Sequence, residues 1–306
     1  MKILLATQKP FSAAAVQGIR QIVEAAGHEL SVLEKYAEQG EFIAGVADAD
    51  ALIIRSDKVT AEVLDAAKKL KIVVRAGAGY DNVDIEAATA HKVVVMNTPG
   101  QNANAVAELA IAMMIFMARN QFTPVTGSEI LGKSLGIQAF GNVGRLVGKK
   151  AEALGMKVKA IDPFLSAEKI KEGGAEPAKS LEELYSTCDY ISIHIPATPE
   201  TISSIGYQLI SKMPKGATLV NTARKEVIDE AGLAKALEER QDLKYVTDVA
   251  PDNYAELKEK FGVRIFATPK KMGAQSAEAN LNAGLAAARQ IVDFFSTGCT
   301  KFQVNK

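Results

Sequence analysis

The chain is predicted to be an α/β protein with two doubly wound parallel sheets, each the core of its own domain. Three observations predict this. Its 306 residues exceed the usual span of one domain. Short apolar runs alternate with amphipathic stretches from end to end, the pattern of buried parallel strands joined by helices. A strand–glycine turn–helix segment begins only near mid-chain, so nearly half of the sequence must form something else first.

Taken in order, Ile3–Ala6, Ala51–Ile54, Ile72–Arg75 and Val93–Met96 read as buried strands. Between them Ser12–Ala26 and Thr60–Lys69 carry helical spacing, with Ser12 and Thr60 as expected N-caps. Asn97-Thr98-Pro99-Gly100 is a break, and an apolar helix follows over Ala103–Ala118. Gln121–Leu131 reads as a connector. The second block then has strands at Leu135–Gln138, Val158–Ile161, Tyr190–Ile193, Thr218–Val220, Tyr245–Asp248 and Ile265–Ala267. A long alanine-rich helix is expected over Ser276–Ser296. Phe302–Val304 is expected as an edge strand returning to the first block.

Composition narrows the function classes. Hydrophobic residues make up 48% and charged residues 24%, ordinary for a globular chain, and the formal net charge is zero, which argues against a dedicated nucleic-acid binder. The apolar runs are too short to span a bilayer, and no cleavable leader pattern opens the chain. The two cysteines, Cys188 and Cys299, lack metal-ligand spacing, so no metal, reduced thiols and a cytoplasmic setting are expected.

The mid-chain segment is Ala139-Phe140-Gly141-Asn142-Val143-Gly144, after a strand and before a helix. In a dinucleotide-binding βαβ unit the first small residue makes the turn, Gly141 lets backbone approach a pyrophosphate, and Gly144 lets helix and strand pack. Helix N-terminal amides, those of Asn142 and Val143 among them, would hold the phosphates. Alanine at position 139 is expected to keep a negative φ. Asp162, eighteen residues beyond Gly144, would accept the adenosine ribose hydroxyls and repel a 2′-phosphate, which selects NAD over NADP. The plainer reading is a strand–helix packing turn followed by a loop aspartate.

Three further segments lie where strands of the second block end: Asn221-Thr222-Ala223-Arg224, Asp248-Val249 and Thr268-Pro269-Lys270-Lys271-Met272-Gly273. Arg224 suits a carboxylate and an adjacent carbonyl through its fork of donors, or is simply a solvated loop cation.

With these residues the chain resembles the D-isomer-specific 2-hydroxyacid dehydrogenases, and within them the branch acting on phosphoglycerate. The markers are Arg75-Ala76-Gly77-Ala78-Gly79-Tyr80-Asp81-Asn82-Val83-Asp84, Asn97-Thr98-Pro99, Ala107-Glu108-Leu109, the glycine segment, His194-Ile195-Pro196, Asn221-Thr222-Ala223-Arg224 and Asp248-Val249. The resemblance spans nearly the whole chain. It implies two Rossmann-like or flavodoxin-like doubly wound domains separated by a cleft that closes on its reactants. It implies a substrate domain over 1–97, rejoined by 281–306, and an NAD domain over 98–280. By the same resemblance Gly77, Ala78 and Gly79 would offer amides to the substrate carboxylate, and Arg224 would hold that carboxylate and the C2 oxygen. Arg55, Ser56, Lys58 and Arg75 would receive a substrate phosphate. His194, Pro196, Thr222, Ala223, Asp248 and Gly273 would line the cofactor, with Asp248 toward the nicotinamide amide. His194 reads equally as a packing histidine, and Arg55 and Lys58 as exposed loop cations.

The family's acid–base pair, a histidine after Thr-Pro and a glutamate five residues past the strand-end aspartate, is absent. Lys270 and Asn253 occupy those places, and no histidine follows His194. A lysine in a closed cleft near Arg224 would lose basicity through desolvation and like charge, so Lys270 is expected to carry the proton, with Lys271 as the spare and Asp252 as a neighbour of the missing glutamate's place. Two readings stay open beside it: an electrostatic anchor only, or a non-catalytic NAD-responsive binding protein. The resemblance thus implies oxidation of D-3-phosphoglycerate to 3-phosphohydroxypyruvate, the entry step of serine synthesis, with glyoxylate or hydroxypyruvate reduction as the near alternative. A homodimer through the helix near 103–118 is implied, with no nucleic-acid or membrane partner. A regulatory small-molecule domain is not expected.

Overall fold

The computed structural model describes residues 1–306. The elements run β1 (Lys2–Thr7), α1 (Ala13–Ala25), β2 (Glu29–Glu34), α2 (Gln39–Val46), β3 (Ala51–Ile54), α3 (Ala61–Ala66), β4 (Ile72–Arg75), α4 (Ile85–Ala90) and β5 (Val94–Asn97). They continue with α5 (Ala103–Ala118), β6 (Ser134–Gln138), α6 (Asn142–Ala153), β7 (Lys157–Ile161), α7 (Ala167–Glu172), β8 (Glu176–Pro177), α8 (Leu181–Thr187) and β9 (Tyr190–Ile193). Then come α9 (Tyr207–Ile210), β10 (Thr218–Asn221), α10 (Glu230–Glu239), β11 (Lys244–Thr247), α11 (Tyr254–Phe261), β12 (Ile265–Ala267) and α12 (Ala277–Thr297).

The chain divides into two compact units, Met1–Asn102 with Gln275–Lys306, and Ala103–Ala274. The divisions lie near 102 and 274 rather than at 97 and 280, and the second falls before α12 because that helix packs in the core of the first unit. Ser276 caps α12, its Oγ accepting from the Ala279 amide at 3.0 Å, and Gly298 closes it with φ 71°.

In the first unit five parallel strands take the order β2-β1-β3-β4-β5, the flavodoxin-like arrangement. β3 and most of β4 are buried on both faces, as their unbroken apolar runs require. β2 has no such run: its burial pattern is that of a half-exposed edge strand. Ser12 caps α1, its Oγ accepting from the Ala15 amide at 3.2 Å, whereas Thr60 sits at the N-cap of α3 without a side-chain cap bond. The C-terminal segment returns through a Met96–Gln303 antiparallel bridge, with the Val304 amide 2.9 Å from the Val95 carbonyl.

In the second unit seven parallel strands take the order β12-β11-β10-β9-β6-β7-β8. Four strands, β9 to β12, lie on one side of β6, and β7 and β8 lie on the other, so the strand order reverses beside β6. The two-residue β8 is an edge strand too short for any periodicity to announce. No helix of either unit is long and apolar enough to cross a membrane.

Candidate active and cofactor site

The register of the second sheet creates a single row. Ile161, Gln138, Ile193, Asn221, Thr247 and Ala267 are successive cross-strand partners, and each ends its strand. Parallel strands point the same way, so the loops after them leave one edge at one level. The ladder runs one residue further: the Ala139 amide donates to Ile161, His194 to Gln138, Asp248 to Asn221 and Thr268 to Thr247, all at 2.9–3.0 Å. This row brings the glycine turn, the His194 segment, Arg224, Asp248 and the Lys270 loop to the same edge.

At the turn, Ala139 adopts φ 73°, not the negative value expected for alanine. A left-handed alanine costs about 1–2 kcal/mol, and here the close packing that follows imposes it. A Cβ on Gly144 would stand 2.2 Å from the Ala139 carbonyl oxygen, so only glycine lets α6 approach. Gly141, by contrast, has no atom within 4 Å of where its Cβ would be, and it opens α6 without a side-chain cap. The exposed Asn142 and half-buried Val143 form the first turn, leaving amides and open space for an anionic group. Asp162 braces the turn: Oδ2 accepts from the Phe140 amide at 2.8 Å and Oδ1 from the Phe164 amide at 2.9 Å. Each oxygen keeps a second lone pair for a ribose hydroxyl.

Along the row, His194 is half-buried with Nε2 2.9 Å from Ser192 Oγ, and burial pushes its basicity down to about 3. The imidazole is therefore neutral at physiological pH. Pro196 is exposed, its carbonyl accepting from Thr201 Oγ1 at 2.6 Å. Asn221 is fully buried and shapes the next loop, its Oδ1 taking the Ala223 amide and its Nδ2 reaching the Arg224 carbonyl, each at 2.9 Å. Thr222 is buried with a hydroxyl that has no partner within the protein, a site ready for a polar ligand atom. Arg224 forms no ion pair, and its Nη1 donates to the adjacent Ala223 carbonyl at 3.0 Å. Asp248 is buried and accepts from the side chain of Thr268 and the amides of Met272 and Gly273. Lys270 and Lys271 are exposed on the loop so held. Asp252 is exposed and pairs with Lys225, and Glu230 accepts from the amides of Asp252 and Asn253 at 2.9 and 3.4 Å. Glu230, which organises the Asp252 loop, carries no motif signal in the sequence.

The first unit has its own row, in which Ala6, Ile54, Arg75 and Asn97 are successive partners. Asp57 is the hub beside it. Its carboxylate accepts from Tyr36 Oη and the Gln8 amide at 2.7 Å each and from the Arg55 amide at 3.2 Å. Burial against that carboxylate raises the Tyr36 phenol above its ordinary range. Arg55 turns its guanidinium to the Lys9 and Pro10 carbonyls at 3.0 Å and to Asn280 Oδ1 at 2.5 Å. Ser56 and Lys58 are exposed beside it. The Arg75 guanidinium lies over Gly77, in the space a Cβ there would fill. The Gly77 amide donates to the Arg75 carbonyl at 2.9 Å, so of the three loop amides only those of Ala78 and Gly79 make no hydrogen bond within the protein. Both cysteines are free.

Known proteins match this architecture. Residues 105–271 match the NAD binding domain of the D-isomer specific 2-hydroxyacid dehydrogenases. An NAD+-bound 3-phosphoglycerate dehydrogenase structure from Entamoeba histolytica is 52% identical, with TM-score 0.90, covering 100% of this chain and 99% of that one. D-3-phosphoglycerate dehydrogenase of Mycobacterium tuberculosis is 40% identical over 65% of this chain and 40% of its own length. That of Archaeoglobus fulgidus is 36% identical over 96% of this chain and 57% of its own length. The chain thus spans about half the length of the curated relatives it matches.

Proposed function

The chain belongs to the D-isomer specific 2-hydroxyacid dehydrogenase family, and on that premise we propose that it oxidises D-3-phosphoglycerate to 3-phosphohydroxypyruvate with NAD, as a cytoplasmic enzyme feeding serine synthesis. The observation that carries the reading is the row of in-register strand ends, which gathers an anion-ready glycine turn, an unpaired arginine and a lysine-bearing loop at one sheet edge.

NAD, when bound, supplies the hydride acceptor. Gly141, Asn142, Val143 and Gly144 would hold its phosphates, and Asp162 would take its ribose. His194, Pro196, Thr222, Ala223, Asp248 and Gly273 would line the rest. In the first unit the amides of Ala78 and Gly79 suit a carboxylate, and in the second the fork of Arg224 suits a carboxylate and an adjacent C2 oxygen. Arg75, Lys58 and Ser56 receive the phosphate. As the hydride leaves C2, the Lys270 amine takes the hydroxyl proton and becomes the ammonium; the C2 oxygen is left as the carbonyl. In the reverse direction the ammonium returns that proton.

The test follows NADH with phosphohydroxypyruvate, hydroxypyruvate and glyoxylate, for wild type and Lys270→Ala. We expect the phosphorylated acid to be preferred and Lys270→Ala to lose at least about a hundredfold in kcat. Preference for the unphosphorylated acids would make the protein a glyoxylate or hydroxypyruvate reductase. No turnover of any would leave an NAD-binding protein without catalysis.

We also propose a homodimer through α5 and the segment after it. Ile115, Phe122, Val125 and Leu131 are 36%, 71%, 65% and 68% exposed. Asn120, Gln121 and Phe122 all adopt left-handed φ, of 49°, 58° and 56°, which is costly for side-chain-bearing residues. Gln121 Nε2 to the Val263 carbonyl at 2.8 Å and Lys244 Nζ to Asn120 Oδ1 at 2.9 Å hold the turn and so present Phe122 outward. Sedimentation should find a dimer for wild type and a monomer for Phe122→Glu; a monomeric wild type removes the interface.

A further inference from the structure

We propose that Asp248 is the positioning residue for the lysine-bearing loop, acting as one carboxylate that pins both ends of the arch Thr268–Gly273. The inference rests on the proton role given to Lys270. Asp248 is 1% exposed and follows β11 directly, its amide held by the Asn221 carbonyl at 2.9 Å, so the carboxylate projects from a rigid strand end. Oδ1 accepts from Thr268 Oγ1 at 2.8 Å and from the Met272 amide at 2.7 Å, and Oδ2 accepts from the Gly273 amide at 2.7 Å. Thr268 opens the arch and Met272 and Gly273 close it. The residues between, Pro269, Lys270 and Lys271, are exposed.

The geometry leaves little slack. A Cβ at Gly273 would stand 3.0 Å from Asp248 Oδ2 and 3.3 Å from Val106 Cγ2, so the backbone approaches the carboxylate as closely as glycine allows. Pro269 fixes one φ within the arch and narrows its alternatives. The two amide bonds, at 2.7 Å, lie at the short end of the N–H···O range. A proton carrier misplaced by about 1 Å loses on the order of a hundredfold in rate, so a loop that bears one needs such a constraint. The role is separate from any contact Asp248 makes to the cofactor, because Thr268 and the Met272 amide reach the carboxylate from the protein itself.

Thr268→Val separates the two, since it removes a pin and leaves the carboxylate in place. Three measurements are made on Thr268→Val, Thr268→Ser, Asp248→Asn and Lys270→Ala: steady-state kcat and KM, NADH affinity by fluorescence titration, and amide hydrogen exchange at Met272 and Gly273. We expect Thr268→Val to lower kcat about tenfold or more with KM and NADH affinity near wild type, and Thr268→Ser to restore kcat. Asp248→Asn should accelerate exchange at both amides. Wild-type kcat in Thr268→Val beside an inactive Lys270→Ala overturns this inference alone. Weakened NADH binding in Asp248→Asn with unchanged exchange also overturns it, in favour of a cofactor role only. A Lys270→Ala protein with full turnover overturns the proton role, and this inference with it.

Discussion

Arg55 and Arg224 stand at corresponding places in the two units, each just beyond a buried strand at the C-terminal edge of a parallel sheet. From sequence both suit an anion. Their surroundings differ. Arg55 has Nη1 on two carbonyls and Nη2 on Asn280, and its guanidinium lies 5.0 Å from the centre of the Phe11 ring. Burial makes it less basic than an ordinary arginine. Arg224 has one donor on a neighbouring carbonyl and no carboxylate partner. A guanidinium offers five N–H donors, so Arg55 is committed to joining the Lys9–Phe11 segment to α12, while Arg224 keeps most of its donors for a ligand. Residue type and topological place do not decide which; the acceptors nearby do.

The comparison breaks most visibly at Arg224. Arg224→Lys keeps the charge and loses the fork, so kcat/KM should fall about a thousandfold with the melting temperature within a degree or so. A large fall in melting temperature would show that Arg224 is architectural as well. Arg55→Met should do the reverse and destabilise the chain by about 1–3 kcal/mol, allowing for the partial exposure of the group. The KM for phosphohydroxypyruvate should change less than about threefold. From sequence alone, neutralising Arg55 is expected to raise that KM. A raised KM at unchanged melting temperature would return Arg55 to the anion role.

A smaller effect separates His194 from both arginines. Its folded-state basicity, about 3, lies below the ordinary value of 6.5. Below pH 6.5 the unfolded chain takes up a proton that the folded chain refuses until near pH 3, so its contribution to stability is full above pH 6.5 and lost as pH falls through that window. Allowing for the partial exposure of the residue, the loss by mildly acidic pH should be about 1 kcal/mol. His194→Gln should remove that slope in urea unfolding measured across the window. An unchanged slope would assign the acid sensitivity to other groups.

These contrasts show why some of the molecule was legible in its sequence. Strands buried on both faces announce themselves as unbroken apolar runs, so Ala51–Ile54 and Tyr190–Ile193 were read with their observed ends. Glu29–Glu34 and Glu176–Pro177 were not, because an edge strand packs one face at most and its polar residues mask the alternation. Gly141 and Gly144 could be read because close backbone approach demands glycine at fixed spacing. The ties of Asp57 to Tyr36 and of Asp248 to Thr268 and Gly273 join residues 20 or more positions apart, and nothing in the spacing of such pairs distinguishes a hub carboxylate from a solvated one.

Ala139 is the mildest departure and the most local test. Alanine at φ 73° pays a steric penalty that glycine escapes. Glycine in turn loses more conformational freedom on folding, by about 0.5–1 kcal/mol. The difference leaves Ala139→Gly more stable by about 0.5 kcal/mol. NAD affinity should hold, because the Ala139 amide and carbonyl keep their places against Ile161 and Gly144. Calorimetry and NADH titration on the one variant check both halves. A destabilised Ala139→Gly would mean that the Ala139 methyl, which packs against the core beside β9 and β10, outweighs its strained backbone.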